Sequence, residues 1–390
     1  MDTLNIAFYS DTYLPAMDGV VTSIMNTRRE LESRGHNVYL FVSGNRATKE
    51  ALKGDRHVFV APSAKFNRYP QYNIAFFPFT AYFKFRNLDI DVIHVHTPFT
   101  MGFYGLLTSK LNRLPIVGSF HTMFTDKEVI DEYMPASNLM KRYALRYSWK
   151  YAHYFYRRCD YTIAPTRTVS NILKKKHINN SVIIPNGVDM SKFNKNVDGS
   201  KLREKLARGN KKVVLYVGRL SREKHLEVLI RAIKRLDDDY VLVVGGTGPM
   251  AHAYMNLSAR LGLSGKVKFV GFIKDSILPD YYAAADVVCL PSTFETQGIV
   301  LLEAMATGTP VVGANRLALQ EIIKNGKNGE KFKPGSTIDC ARKIEKVINN
   351  IDAYKGTVST AKEYSIEKVA DKLIDLYKKL QRGDTSFTSI

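Results

Sequence analysis

Cysteine is scarce in this chain: Cys159, Cys289 and Cys340 are the only three, odd in number and far apart in sequence. That excludes a disulfide framework and a cysteine-based zinc spacing. It fits a reducing cytosol, with the thiols acting as small buried apolar groups. No apolar run approaches the roughly 20 residues that a bilayer-spanning helix needs. No charged segment followed by an apolar one precedes the first strand, Leu4 to Tyr9, so no secretory leader is expected. Solenoid-length repeats and low-complexity blocks are absent too. Acid is in short supply: 37 Asp and Glu face 57 Lys and Arg, for a net charge of +20. Such a field draws polyanions (nucleic acid, anionic lipid or phosphorylated substrate) and also serves a plain solubilising surface. Charge alone does not choose among these.

What the sequence does have is strand–helix alternation, twice over. Its 390 residues exceed the size at which a single core stops growing, so two domains are expected. In the first half, strands read at Ile6–Tyr9, Val38–Val42, Val58–Ala61, Val92–His96, Pro115–Phe120, Thr162–Ala164 and Val182–Ile184, with a helix over Val20–Ser33 closed by Gly35. The pattern restarts with strands at Val213–Val217, Val241–Gly245, Val267–Val270, Val287–Leu290 and Val311–Val312. Alternation of this kind implies α/β domains with parallel, doubly wound sheets. Pro185-Asn186-Gly187-Val188-Asp189 is the best linker. A last helix, Ile366–Leu380, could belong to either domain.

Chemistry concentrates at the loops that follow strands. Glu295 and Glu303 flank Gly298, which opens the apolar run Ile299-Val300-Leu301-Leu302. The amides around Gly298 to Val300 lie at a helix start, a setting that suits an anion. Two acids beside an anion site fit hydrogen bonds from sugar hydroxyls, though a solvated loop Glu and a helix Glu would read the same way. Gly218-Arg219-Leu220 follows the first strand of the second half, with Lys224 five residues after Arg219. The planar fork of the arginine and the point charge of the lysine would clamp a diphosphate; equally, both could be surface cations. Gly245-Gly246-Thr247-Gly248-Pro249 either lines the same crevice or makes a tight turn. Asp18-Gly19-Val20 brings backbone close to a phosphate or is an ordinary strand–helix turn. His121, at the end of a strand, reaches a ligand or is structural. His94 and His96 share a strand face, but no further ligand is spaced to complete a metal site.

Lys141–Arg158 is rich in cations and aromatics. Arg142, Arg146 and Lys150 fall on one helical stripe and Tyr143, Tyr147 and Tyr151 on the next, with Trp149 nearby. Lys65–Arg86 adds Phe76, Phe77, Phe79, Phe83 and Phe85 among cations. Such segments favour anionic interfaces, or form a core helix with a basic outer face. A single-stranded nucleic-acid platform uses the same residue types, but no RNA-binding signature occurs and no nucleic-acid partner is expected.

In this order, the glycine loop at Gly19, Phe120-His121-Thr122, Ile184-Pro185-Asn186-Gly187-Val188-Asp189, Gly218-Arg219-Leu220 with Lys224, and the Glu295–Glu303 motif resemble glycosyltransferase family 4 of the GT-B fold, over nearly the whole chain. Phe8-Tyr9-Ser10-Asp11-Thr12-Tyr13-Leu14-Pro15, His94-Val95-His96-Thr97-Pro98-Phe99 and Glu295-Thr296-Gln297-Gly298 are most similar to the bacterial diacylglycerol glucosyltransferases. The resemblance implies two Rossmann-like domains facing a central cleft. Residues 1–187 would form an acceptor- and membrane-binding domain on which 366–390 packs back, and 188–365 a nucleotide-sugar domain. It implies retaining transfer of a hexose, glucose from UDP-glucose, to a lipid such as diacylglycerol, giving an α-glycolipid. His121, Glu295, Arg219 and Lys224 would be catalytic. Gly19, Arg219, Lys224, Gly248, Ile273, Glu295, Gly298, Ile299, Val300 and Glu303 would bind the donor. Glu303 would take the ribose hydroxyls, and the base would sit near Gly271–Lys274. No metal or other cofactor is required, with magnesium at most a stimulant. Arg142, Arg146, Trp149 and Lys150 would meet an anionic membrane, the protein being peripheral and monotopic at the cytoplasmic face of the cell membrane. The competing readings are GDP-mannose with phosphatidylinositol or a soluble acceptor, a sugar-nucleotide epimerase, and a non-catalytic basic membrane-binding protein.

Overall fold

The structure, a computed structural model, describes residues 3–65, 73–76, 83–125, 130, 137–207, 209 and 211–383. The chain divides into two compact units: one runs to Gly187 and resumes at Ile366, the other is Val188–Ser365.

The first unit is built on an eight-stranded sheet. Its strands are β1 (Asn5–Ser10), β2 (Asn37–Gly44), β3 (Val58–Lys65), β4 (Asn73–Ala75), β5 (Val92–Val95), β6 (Ile116–Ser119), β7 (Tyr161–Ala164) and β8 (Ser181–Ile183). Their order is β4-β3-β2-β1-β5-β6-β7-β8. Neighbours are parallel except β4, which runs antiparallel to β3. Strand β5 is buried at every position, as a strand covered on both faces must be, His94 included among its apolar neighbours. It stops at Val95, so His96 lies in the following loop rather than in the strand.

The helix Gly19–Ser33 buries Val20, Val21, Ile24, Thr27 and Leu31. Ile366–Gln381 lays Ile366, Val369, Ala370, Leu373, Leu376, Tyr377 and Leu380 into the same core, a three-four spacing that gives one apolar face. Arg34 donates to the Glu367 carbonyl at 2.9 Å and pairs with Asp371, and Gln381 donates to Asp91 at 2.7 Å. The last helix therefore belongs to the first unit, although the chain reaches it only after completing the second.

The second unit carries a six-stranded sheet in the order β11-β10-β9-β12-β13-β14. Its strands are β9 (Lys212–Val217), β10 (Tyr240–Gly245), β11 (Val267–Gly271), β12 (Val287–Leu290), β13 (Val311–Ala314) and β14 (Gly329–Phe332), all parallel. Val188 bridges to Ser365 and donates to the Tyr364 carbonyl at 2.9 Å, so the points where the chain enters and leaves this unit are held side by side. Strands β4 and β14 were not expected from the sequence. The first has three residues. The second, Gly-Glu-Lys-Phe, looks like surface, yet its Glu330 is fully buried and held by Lys343 at 2.8 Å and Lys346 at 2.7 Å. All three cysteines are buried and reduced, and Cys289 and Cys340, distant in sequence, bring their sulfurs to 3.9 Å.

Both sheets have a point where the strand order reverses. In the first unit β1 lies between β2 and β5; in the second β9 lies between β10 and β12. Ligands of open α/β sheets bind outside the carboxyl ends of the strands at such points.

Candidate active site

In the second unit the reversal point is framed by the loops after β9 and β12. The β9 loop turns through Gly218-Arg219-Leu220 into a short 3-10 turn, Arg222–Lys224. Three backbone bonds strap it to the loop after β10: Gly218 N–H to Gly245, Leu220 N–H to Thr247 and Met250 N–H to Leu220, at 2.9–3.0 Å. The hydroxyl of buried Tyr216 donates to the Arg219 carbonyl at 2.9 Å. Gly248 allows this approach, because a Cβ there would stand 2.4 Å from the Leu220 oxygen. Ile273, after β11, is buried against Gly245 and presents no exposed side chain.

The β12 loop carries Glu295, and the two loops meet: Lys224 Nζ lies 2.7 Å from Glu295 Oε1, both side chains largely buried. Downstream, Gly298 adopts a left-handed conformation, φ 80°, and opens the helix Ile299–Ala306 with no side chain capping it. The amides of Ile299 and Val300 thus begin a helix whose positive end faces the loop. Glu303, in the same helix, is buried and accepts a hydrogen bond from Tyr282 Oη at 2.8 Å. Burial pushes its carboxyl up to about 7, against the lowering effect of that bond. Tyr282 comes from the helix Leu278–Ala284 and escaped the sequence reading, since a tyrosine in an apolar helix signals only packing. Glu223 also escaped it: beside Lys224, it is buried and accepts from Ser221 Oγ at 2.5 Å.

In the first unit, Gly19 begins its helix with open space where a side chain would be. Asp18, however, caps that helix: its Oδ1 accepts from both Val20 and Val21 amides at 2.9 Å. Those two donors are taken by a carboxylate, so a phosphate beside Gly19 does not find them open. His121 is half-buried, and its Nε2 faces His96 Nδ1 at 3.1 Å. Among the described residues, no group of three or more His, Cys, Asp or Glu side chains is placed to ligate a metal.

The helix Asn138–Tyr156 presents Arg142, Tyr143, Arg146, Tyr147 and Lys150 to solvent, with Lys150 over the Tyr147 ring at 5.3 Å. Two aromatic residues of this helix turn inward. Trp149 is half-buried, stacked over Phe120, and covered by Lys176 at 5.1 Å; it lies three and seven residues before buried Ala152 and Tyr156, on the inward face. Tyr151 leaves the exposed tyrosine stripe and donates inward to the Pro98 carbonyl. Lys150, His153, Tyr154, Arg157 and Arg158 line a shallow depression of about 560 Å³. Phe76 and Phe83 are exposed but Phe85 is buried; Phe77 and Phe79 lie outside the described residues. No helix among the described residues is long and apolar enough to cross a membrane.

Residues 17–192 match the Glycosyltransferase Family 4 model, and residues 198–364 match that of Glycosyl transferases group 1. The chain is 30% identical to the alpha-monoglucosyldiacylglycerol synthase of Acholeplasma laidlawii, over 84% of this chain and 85% of that one. It is 28% identical to the synthase of the same name from Streptococcus pneumoniae, over 84% and 75%. Anabaena HepE, solved in complex with UDP-glucose, superposes with a TM-score of 0.76 at 22% identity, covering 96% of this chain and all of that one, a likeness of fold. The Lys224–Glu295 pairing at a sheet's reversal point and these matches agree, and the chain belongs to glycosyltransferase family 4, an enzyme of the GT-B fold.

Proposed function

We propose that the protein transfers glucose from UDP-glucose to diacylglycerol, with retention at the anomeric carbon, forming an α-glycolipid at an anionic membrane surface on the cytoplasmic side. The observation that carries this reading is the Lys224–Glu295 pair, a cation and a carboxylate held together in the loops after β9 and β12. Relatives named for monoglucosyldiacylglycerol synthesis support the choice of glucose and of a lipid acceptor.

In this reading the diphosphate of the donor lies against Arg219, Lys224 and the first-turn amides Ile299 and Val300. As the glycosidic bond to the diphosphate breaks, negative charge grows on the leaving oxygen. Fixed positive groups stabilise that charge more in the transition state than in the bound donor, which is what accelerates the step. Lys224 then exchanges part of its contact with Glu295 for phosphate, and Glu295 turns its oxygens to hexose hydroxyls. Glu303 accepts the ribose hydroxyls, and Ile273, Gly248 and the Gly271–Lys274 loop accommodate the base. His121 contacts the hexose. The leaving group is already good, so no protein acid is needed. A donor phosphate oxygen takes the proton of the attacking acceptor hydroxyl on the same face, which preserves the α configuration. The reaction itself needs no metal. Arg142, Arg146 and Lys150 hold the first unit to anionic lipid.

A panel of labelled UDP-glucose, UDP-galactose and GDP-mannose, each with diacylglycerol, phosphatidylinositol or a soluble glycoside in mixed vesicles, tests the reading. The expected product is α-glucosyldiacylglycerol from UDP-glucose. Transfer only from GDP-mannose, only to phosphatidylinositol, or only to the soluble glycoside overturns the substrate assignment. Conversion of the donor without any acceptor would identify an epimerase.

A further inference from the structure

Behind His121 stands a column of imidazoles that the proposed mechanism leaves unused. The rings of His94 and His96 stack at 4.1 Å, and those of His96 and His121 at 5.4 Å with 11° between their planes. His94 is bonded at both nitrogens, Nδ1 to Tyr377 Oη at 2.6 Å and Nε2 to Ser119 Oγ at 2.7 Å. His96 Nδ1 meets His121 Nε2 at 3.1 Å, and Asn186 hydrogen-bonds the His121 ring. His94 and His96 are buried. Burial holds the pKa of all three below the ordinary histidine range, to about 3 for His94, about 4 for His121 and well down for His96. All three rings are therefore neutral at physiological pH.

A neutral imidazole has one N–H and one lone pair. Only one proton fits between His96 Nδ1 and His121 Nε2, since two N–H groups would collide and two lone pairs would repel. The tautomers of the two rings are thus locked together. Two arrangements are possible, and His96 Nε2 distinguishes them. Among the described residues, that buried atom has no hydrogen-bond partner. If His121 donated, His96 would carry its proton on Nε2 as an orphaned buried donor. If His96 donates, Nε2 carries only a lone pair, and an unmade acceptor is better tolerated than an unmade N–H.

We propose that His96 is a positioning residue for glycosyl transfer: its Nδ1–H donates to His121 Nε2, which fixes the His121 ring and leaves its proton on Nδ1. The bond His94–Tyr377 braces the column from behind, on the C-terminal helix. The proposal rests on the reading that His121 contacts the hexose: with Nε2 accepting from His96, the ring is left with its Nδ1–H and meets a polar partner, Asn186 or a sugar hydroxyl, as a donor.

Two measurements test it. Long-range proton–nitrogen NMR of histidine-labelled wild-type protein reports each tautomer directly; protons on Nδ1 of both His96 and His121 are expected, and a proton on His121 Nε2 overturns the assignment. This measurement is independent of activity. Second, His96→Asn supplies an amide donor near the Nδ1 position, whereas His96→Leu does not. His96→Leu is expected to lower kcat by about tenfold, the lower end of what is lost when the hydrogen-bond partner orienting a metal-bound histidine is removed, with donor KM little changed; His96→Asn should recover most of it. Equal losses in both variants, with unchanged unfolding temperatures, overturn the positioning role. Unimpaired turnover by His121→Ala would instead refute the hexose contact and leave the tautomer result standing.

Discussion

In the proposed reading, Glu303 joins stability to donor recognition in one carboxyl group. Burial raises it from 4.5 to about 7, so the folded protein holds this proton more tightly than the unfolded chain. Its contribution is fully present below pH 4.5 and is lost as pH climbs through 7, amounting to on the order of 3 kcal/mol. Glu303→Gln abolishes that titration. Denaturant unfolding should show the variant gaining stability over wild type between pH 4.5 and 7, and a gap that does not change with pH would contradict this. In the same variant donor affinity should fall at least about tenfold by calorimetry, since a neutral amide accepts hydroxyls more weakly than a carboxylate. For Lys224→Ala the reading predicts a loss in kcat of about a hundredfold or more, the scale seen when one stabiliser of transition-state charge is removed. A variant with near wild-type kcat would take Lys224 out of the chemistry. Asp18→Ala should cost about 1 kcal/mol through the lost helix cap, and Asp18→Ser only a fraction of that; thermal melts of the pair decide it.

Among elements, the helix Asn138–Tyr156 separates a packed face from an exposed basic and aromatic one within a single turn. Trp149→Ala should destabilise the protein by about 3 kcal/mol, the usual cost of truncating a large packed aromatic, discounted because the ring is only half-buried. Tyr147→Ala, on the exposed face, should leave the melting temperature within a degree or two while weakening vesicle co-sedimentation. The opposite pattern would mean that the inward and outward faces are exchanged. The strands that frame the site were legible because buried parallel strands are continuous apolar runs; Val287–Leu290 and Val213–Val217 could hardly be anything else. Glu295, Glu303, Arg219 and Lys224 stood out as candidates because each lies in or just after a loop that follows a strand and contains a glycine. What stayed hidden was whatever depends on a tertiary partner. Strand β14 is concealed by Glu330, a buried charge whose two lysines arrive from a helix more than ten residues on. Tyr282 shows itself as a ligand of Glu303 only once two helices are side by side. In sequence, Asp18-Gly19-Val20 reads as a backbone approach to phosphate or as an ordinary strand–helix turn; that Asp18 caps the helix through Val20 and Val21 appears only in the structure.

At the scale of the whole molecule, the net charge of +20 acts as a field. Binding to vesicles should rise with anionic lipid content and fall steeply between low salt and about 0.5 M, where screening lengths shrink to a few ångströms. Equal binding to neutral vesicles at high salt would assign the interaction to apolar insertion instead. The return of the chain at Ile366 has a consequence for biosynthesis. When residues up to Gly187 have left the ribosome, the groove that Val369, Leu373 and Tyr377 will fill is still bare, whereas Val188–Ser365 emerges as one uninterrupted stretch. Translation order and folding order therefore differ: the unit whose synthesis begins first completes its core only once the helix Ile366–Gln381 has been made.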